Sequence, residues 1–279
     1  MIDIIDIKSI SRISDWAELN IIYYSVPFSK AKLNSLLEDN GYEDDVNYKG
    51  DELFDSILLE LKRRAHLYGP FAPYEINGNV IASKGSWVDY PEYVMCLLFS
   101  YWGAENAHSA TKLFERLSKE ALEIYFNGKG IVLGFPNINN LTNQLNGLAV
   151  QLLEERGGRN PDPEDKDRGV DVVGWIPFED ERNSQVIILM QCAAGRRWRT
   201  KKQIPLSAWA QYIHWNYMTT IPALSITEVI NNKNWQKSVD EYGIIFDRAR
   251  IFRQIYSAGY SIDMTLRSEI IAWCTNKLN

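Results

Sequence analysis

Two polar residues stand where packing alone would put valine or isoleucine. Asp171 interrupts the run Val170-Asp171-Val172-Val173, and Gln191 closes the apolar run Val186-Ile187-Ile188-Leu189-Met190. A carboxylate inside a buried strand costs several kcal/mol unless it is paired or holds a metal. Strand alternation puts Gln191 on the same face as Ile187 and Leu189. On neighbouring strands the two side chains can offer oxygen ligands to one hard divalent cation, Mg²⁺ or Mn²⁺. They can equally sit at strand ends, hydrogen-bonded to loops, and the spacing leaves both options open. Just beyond Gln191, "GRRWRTKK" gathers Arg196, Arg197, Arg199, Lys201 and Lys202 around Trp198. Such a cluster can neutralise phosphates, with Trp198 stacking on a base or packing beneath the loop. A solvated turn entering a helix is the plain structural alternative.

These groups need a scaffold. Residues 169–175 and 185–192 are β-branched and apolar at both alternating positions, the pattern of strands covered on both sides. Residues 106–127 form an amphipathic helix with Leu113, Phe114, Leu117, Ala121 and Leu122 as its stripe, and Gly128 just past its end. A second helix runs from an Asn140 cap to Gly157-Gly158. The polar stretch that follows is an exposed loop. Residues 204–218 read as an aromatic-rich helix, 241–259 as a short strand running into a helix, and 265–279 as a terminal helix. Nearer the start, 30–41 and 51–69 are helical, the second closed by Gly69-Pro70, and 90–102 is a buried helix. Residues 73–83 form a hairpin around Asn77-Gly78, the pair that a type I′ turn prefers. Residues 14–26 fit a strand or a short helix. The pattern beyond residue 105 is α/β, so we divide the chain into a mainly helical 1–106 and an α/β 107–279.

Composition sets bounds. With 279 residues, 46% hydrophobic and 24% charged, the chain can bury a sizeable core. Its net charge of −6 requires any nucleic-acid contact to come from a local patch. The 3 cysteines, Cys96, Cys192 and Cys274, are far apart and odd in number, which suggests neither a disulfide framework nor a zinc site. His66, His108 and His214 lack metal-ligand spacing. The first residues are acidic rather than basic, and no apolar run is long enough to span a bilayer, so a cytoplasmic protein without a membrane segment is expected. "NGKGIVLG" lacks the spacing of a phosphate loop. Asp247 and Arg248, at a strand end, read as an internal ion pair rather than a phosphate contact.

The run Asp167-Arg168-Gly169-Val170-Asp171, followed by an apolar strand ending at Gln191, resembles the PD-(D/E)XK restriction-endonuclease-like superfamily. It is most similar to the branch whose second motif begins with Gln, found in modification-dependent restriction enzymes and anti-phage effector nucleases. Phe114 and Glu115 in "KLFERLSKEALEIYFNG" match that family's opening "FE" helix, and the likeness spans roughly 107–211. The resemblance implies a restriction-endonuclease-like core, a mixed central sheet flanked by helices. It implies a Mg²⁺ or Mn²⁺ ion held by Asp171, Gln191, the Cys192 main-chain carbonyl and Glu115, with phosphodiester cleavage of DNA as the reaction. It further implies a defence role, with a sensor or ATPase partner subunit or a second copy of the chain. The motif lysine is absent, because Ala193 occupies its place; Lys201 or Lys202, from the following segment, is the substitute. Arg197 is a poorer one, since a guanidinium does not deprotonate. Glu154 and Glu155, near the end of the second helix, compete with Glu115 for the acid role. A nuclease-fold module without catalysis, binding DNA or scaffolding a complex, is the alternative that Ala193 favours.

Overall fold

The computed structural model describes residues 8–40, 50–104, 108–133, 141–162, 168–215, 220–257 and 262–278. Asp167, Asn140 and the 106/107 boundary lie outside these residues. Helices α1 (Ile10–Tyr24), α2 (Lys30–Asp39) and α3 (Gly50–Tyr68) come first. The open choice over 14–26 falls to helix, because only a helix puts Asp15 and Glu18 on one face. Both carboxylates meet Arg64 of α3, at 2.6 and 2.9 Å. Strands β1 (Tyr74–Asn77) and β2 (Val80–Ser83) form the expected hairpin. Its register pairs Asn77 with Val80, so the turn is Gly78-Asn79 rather than Asn77-Gly78. Only Gly78 has positive φ there, the sign pattern of a type II′ turn. Helix α4 (Pro91–Trp102) is buried along nearly its whole length, and α5 (His108–Phe126) follows.

The remaining chain builds a five-stranded mixed sheet flanked by helices. Its strands are β3 (Lys129–Val132), β5 (Val172–Ile176), β6 (Val186–Ala193), β8 (Ile221–Ile226) and β9 (Ile244–Phe246), in the spatial order β3-β5-β6-β8-β9. The β3, β5 and β6 strands are antiparallel neighbours, whereas β6, β8 and β9 run parallel. A separate two-stranded ladder joins β4 (Glu155–Arg156) to β7 (Ile213–His214). One sheet face carries Val172, Ile188, Met190 and Cys192 into a core shared with α1, α3, α4, α5, α9 (Arg248–Ile255) and α10 (Met264–Leu278). The opposite face puts Val173, Trp175, Ile187 and Leu189 beneath α6 (Leu141–Leu152) and beneath Trp209 and Tyr212 of α7 (Leu206–Tyr212). Helix α8 (Asn232–Tyr242) packs on the β8–β9 side. Gly174 lets α5 lie against β5, since a Cβ there would come within 2.6 Å of Leu122.

Several elements differ from the sequence pattern. The α6 helix stops at Leu152, because Leu153 turns left-handed (φ 56°), so Glu154 and Glu155 are not helical. The α7 helix ends at Tyr212, where Ile213 turns into β7. The sequence pattern does not mark strands β3 and β8 or helix α8. Pro222 argues against a central strand. It is accommodated because β9 pairs with β8 only from Ala223 onward, so the missing N–H faces no ladder partner on that side.

A buried ionic network crosses the core. Asp15 Oδ1 accepts from Arg64 Nη1 and from Arg248 Nη2 at the start of α9, each at 2.6 Å. Glu18 Oε2 accepts from the same two guanidiniums at 2.9 and 3.1 Å. Tyr74 and Tyr68 hydroxyls donate to Glu18 Oε1 at 3.0 and 3.2 Å, and Ser100 donates to Asp15. Burial alone would raise the Asp15 carboxyl, but Arg248, Arg64 and Ser100 hold it below its usual value. Arg248 is therefore internal as expected, although its acidic partners come from α1. Asp247 instead caps α9, accepting from the Arg250 N–H at 3.1 Å and the Ile230 N–H at 3.2 Å.

Candidate active site

A cavity of about 360 Å³ opens where β6 runs out, and Glu115, Asp171, Cys192 and Lys201 all line it. Each arrives on a different segment. Glu115 comes from the first half of α5, on the side that faces the sheet, and is 7% exposed. Lys112, one turn earlier, pairs with it at 3.0 Å. Asp171 precedes β5, where the ladder is out of step. Its N–H donates to Met190 O at 2.9 Å, although the register pairs Val172 with Met190. The Cys192 N–H that this irregularity strands is satisfied by Asp171 Oδ2 at 2.7 Å. The carboxylate among the valines therefore closes a backbone defect and also lines the cavity.

Gln191 takes the other side. It lies on the strand face of Ile187 and Leu189, as alternation requires, and is not among the cavity-lining residues. Its amide rests on Gly169, where a Cβ would come within 3.0 Å of Nε2. Gly169 also has φ 77°, so a side chain there would be strained as well as crowded. The expected convergence of Gln191 with Asp171 on one ion is therefore absent from the cavity wall. Glu154 is also elsewhere. It is buried behind α6 and accepts from the Ser184 N–H at 3.4 Å, so it does not compete with Glu115.

The basic segment divides by environment. Arg197, Lys201 and Lys202 are exposed, and Arg197 and Lys201 line the cavity. Arg196 instead turns toward α4, donating to Trp102 O at 3.1 Å, and Arg199 pairs with Glu228 at 3.0 Å. Trp198 is 1% exposed and packs edge-on against Tyr242, with the Arg199 guanidinium over its ring at 4.2 Å. Of the two options the sequence left for Trp198, the fold takes packing beneath the loop. A ring buried to this degree cannot stack on a base.

Electrostatics tie the group together. Burial pushes the Cys192 thiol well above the usual thiol range, and Asp171 raises it further; Ser118 lowers it, Glu115 raises it and Lys201 lowers it. Cys192 is thus a protonated, inert thiol whose useful atoms are its backbone groups. Among the described residues no group of three His, Cys, Asp or Glu gathers as a metal cage. Two carboxylates nevertheless fit Mg²⁺, which proteins hold through one or two carboxylates while it keeps several waters. Phe114 also lines the cavity, as do Thr111, Ala104 and Thr200, which the sequence does not single out. Thr111 was findable, because it sits one helical turn before Glu115. Ala104 was not, since only the packing of α4 brings it there. Among the described residues no helix is long and apolar enough to cross a membrane. Compared with family models, curated proteins and solved structures, the chain matches none.

Proposed function

We propose that this protein is a metal-dependent endonuclease that cleaves DNA phosphodiester bonds, on a restriction-endonuclease-like core, as the nuclease component of a defence system. The observation that carries the proposal is the meeting of Glu115, Asp171 and Lys201 at one cavity beside the end of β6. Three segments distant in sequence deliver two acids and an amine to one place, next to the exposed cation Arg197. Asp171, Glu115 and the Cys192 carbonyl are the groups that would hold Mg²⁺ or Mn²⁺. When bound, that ion lowers the pKa of the attacking water and neutralises the scissile phosphate. Lys201 orients the water and offsets charge developing on the phosphoryl oxygens, the task that Ala193 cannot perform. Arg197 and Lys202 anchor flanking phosphates. Gln191 braces the Gly169 turn behind Asp171 and so positions it.

Purified protein incubated with plasmid and Mg²⁺ or Mn²⁺ should nick or linearise it. Asp171→Ala should abolish cutting, and Lys201→Ala should slow it by about 100-fold or more, the usual size of a general-acid or charge-stabilising contribution. Cutting that survives Asp171→Ala overturns the assignment.

A second reading rests on Ala193 and on Gln191 facing away from the cavity. It makes the chain a nuclease-fold subunit that binds DNA or scaffolds a complex without cutting. It is favoured if no cutting occurs while salt-sensitive DNA binding is lost in an Arg197→Ala/Lys202→Ala variant.

A further inference from the structure

A second cavity, of about 400 Å³, lies at the opposite end of the β5–β6 hairpin. From Asp171 to Pro177 the chain advances about 20 Å at roughly 3.3 Å per residue, so the two cavities are separate. One wall is apolar: Leu153, Trp175, Pro177 and Phe178 line it. Phe178 is 70% exposed and Leu153 41%, and Val186, where β6 begins, is 43% exposed. Large apolar groups grouped in water at a hairpin tip mark a surface that is covered on binding.

The polar groups say what covers it. Gln185, also lining the cavity, is 8% exposed, and its Nε2 donates to Leu152 O at 2.9 Å. That bond fixes the amide, whose Oε1 is sealed from solvent and has no donor among the described residues. Glu179, Asp180 and Glu181 follow in succession on the rim, and Lys129 and Arg182 line the same cavity. Glu179 pairs with Lys129 at 2.9 Å and Asp180 with Arg182 at 2.6 Å, while Glu181 has no cation beside it among the described residues.

We propose that this cavity is the docking site for a peptide segment of a partner protein, carrying an aromatic or aliphatic residue flanked by lysine or arginine. The apolar side chain fills the space between Phe178 and Leu153, and the cation faces Glu181. With Glu179 and Asp180 paired, the charge left over is that of Glu181, which favours a cationic segment over a phosphate backbone. The site is independent of the chemistry at Asp171.

The full chain should be used to select phage-displayed random peptides, with counter-selection on a Phe178→Ala/Glu181→Lys variant. Both residues are exposed, so the variant folds. The expected survivors combine an apolar residue with flanking Lys or Arg. A synthetic peptide of that consensus should bind the parent about tenfold or more tightly than it binds either single variant, the effect of losing one anchor. The proposal is overturned if no peptide distinguishes parent from variant, or if acidic peptides are selected. It is equally overturned if oligonucleotide binding falls with Phe178→Ala, or if that change abolishes a concentration-dependent dimer, which would assign the surface to a second copy.

Discussion

Asp171 carries two duties that substitution can separate. Its Oδ2 accepts the Cys192 N–H, and the same side chain lines the cavity with Glu115 and Lys201. Asp171→Asn can keep a hydrogen bond from Cys192 through its carbonyl oxygen while losing the charge. We expect stability to fall by no more than about 1–2 kcal/mol, the scale of one weakened hydrogen bond, while cutting is lost. Urea unfolding and a plasmid assay on the same preparation separate the two effects. Cys192 offers a second check at this scale. A thiol that burial and neighbouring carboxylates hold protonated should react with an aromatic disulfide reagent at pH 8 far more slowly than free cysteine does, until denaturant is added.

At the scale of elements, the site depends on how closely α5 approaches β5. Gly174 makes that approach possible, with Leu122 filling the space that a Cβ would need. Gly174→Ala should therefore destabilise the protein by about 1–3 kcal/mol through overpacking, read as a lower urea midpoint with unchanged slope. Because α5 carries Glu115, the same substitution should reduce activity more than the stability loss explains. The β5 strand itself was legible from its valines. The irregularity before it was not, since it depends on how Met190 and Cys192 of the neighbouring strand divide their hydrogen bonds.

Across the whole molecule, the Asp15–Glu18–Arg64–Arg248 network links α1 and α3 to α9, and one continuous apolar core runs from Ile13 to Cys274. Calorimetry should accordingly show a single cooperative transition. Arg248→Met leaves two buried carboxylates short of a cation and should cost about 3–5 kcal/mol. An exposed control such as Arg197→Ala should stay within about 0.5 kcal/mol. The pH dependence has a definite sign. The folded Asp15 carboxyl lies below its unfolded value of about 3.9, so its contribution is fully present above that pH and is lost as pH falls through the depressed folded value. Stability should decline with acidification below about pH 4, and Asp15→Asn should flatten that slope while lowering stability at pH 7.

The sequence by itself determined the helices with clear stripes, the paired strands that carry Asp171 and Gln191, and the candidacy of Glu115 and Lys201. Apolar periodicity is local and survives any tertiary arrangement. Only the tertiary structure decided that Gln191 faces away from the cavity, that Trp198 is buried and that Arg248 belongs with Asp15. Each outcome depends on which surface another segment covers, at separations that no local pattern encodes. The same is true of β8, whose Pro222 is harmless only because β9 starts one residue further along.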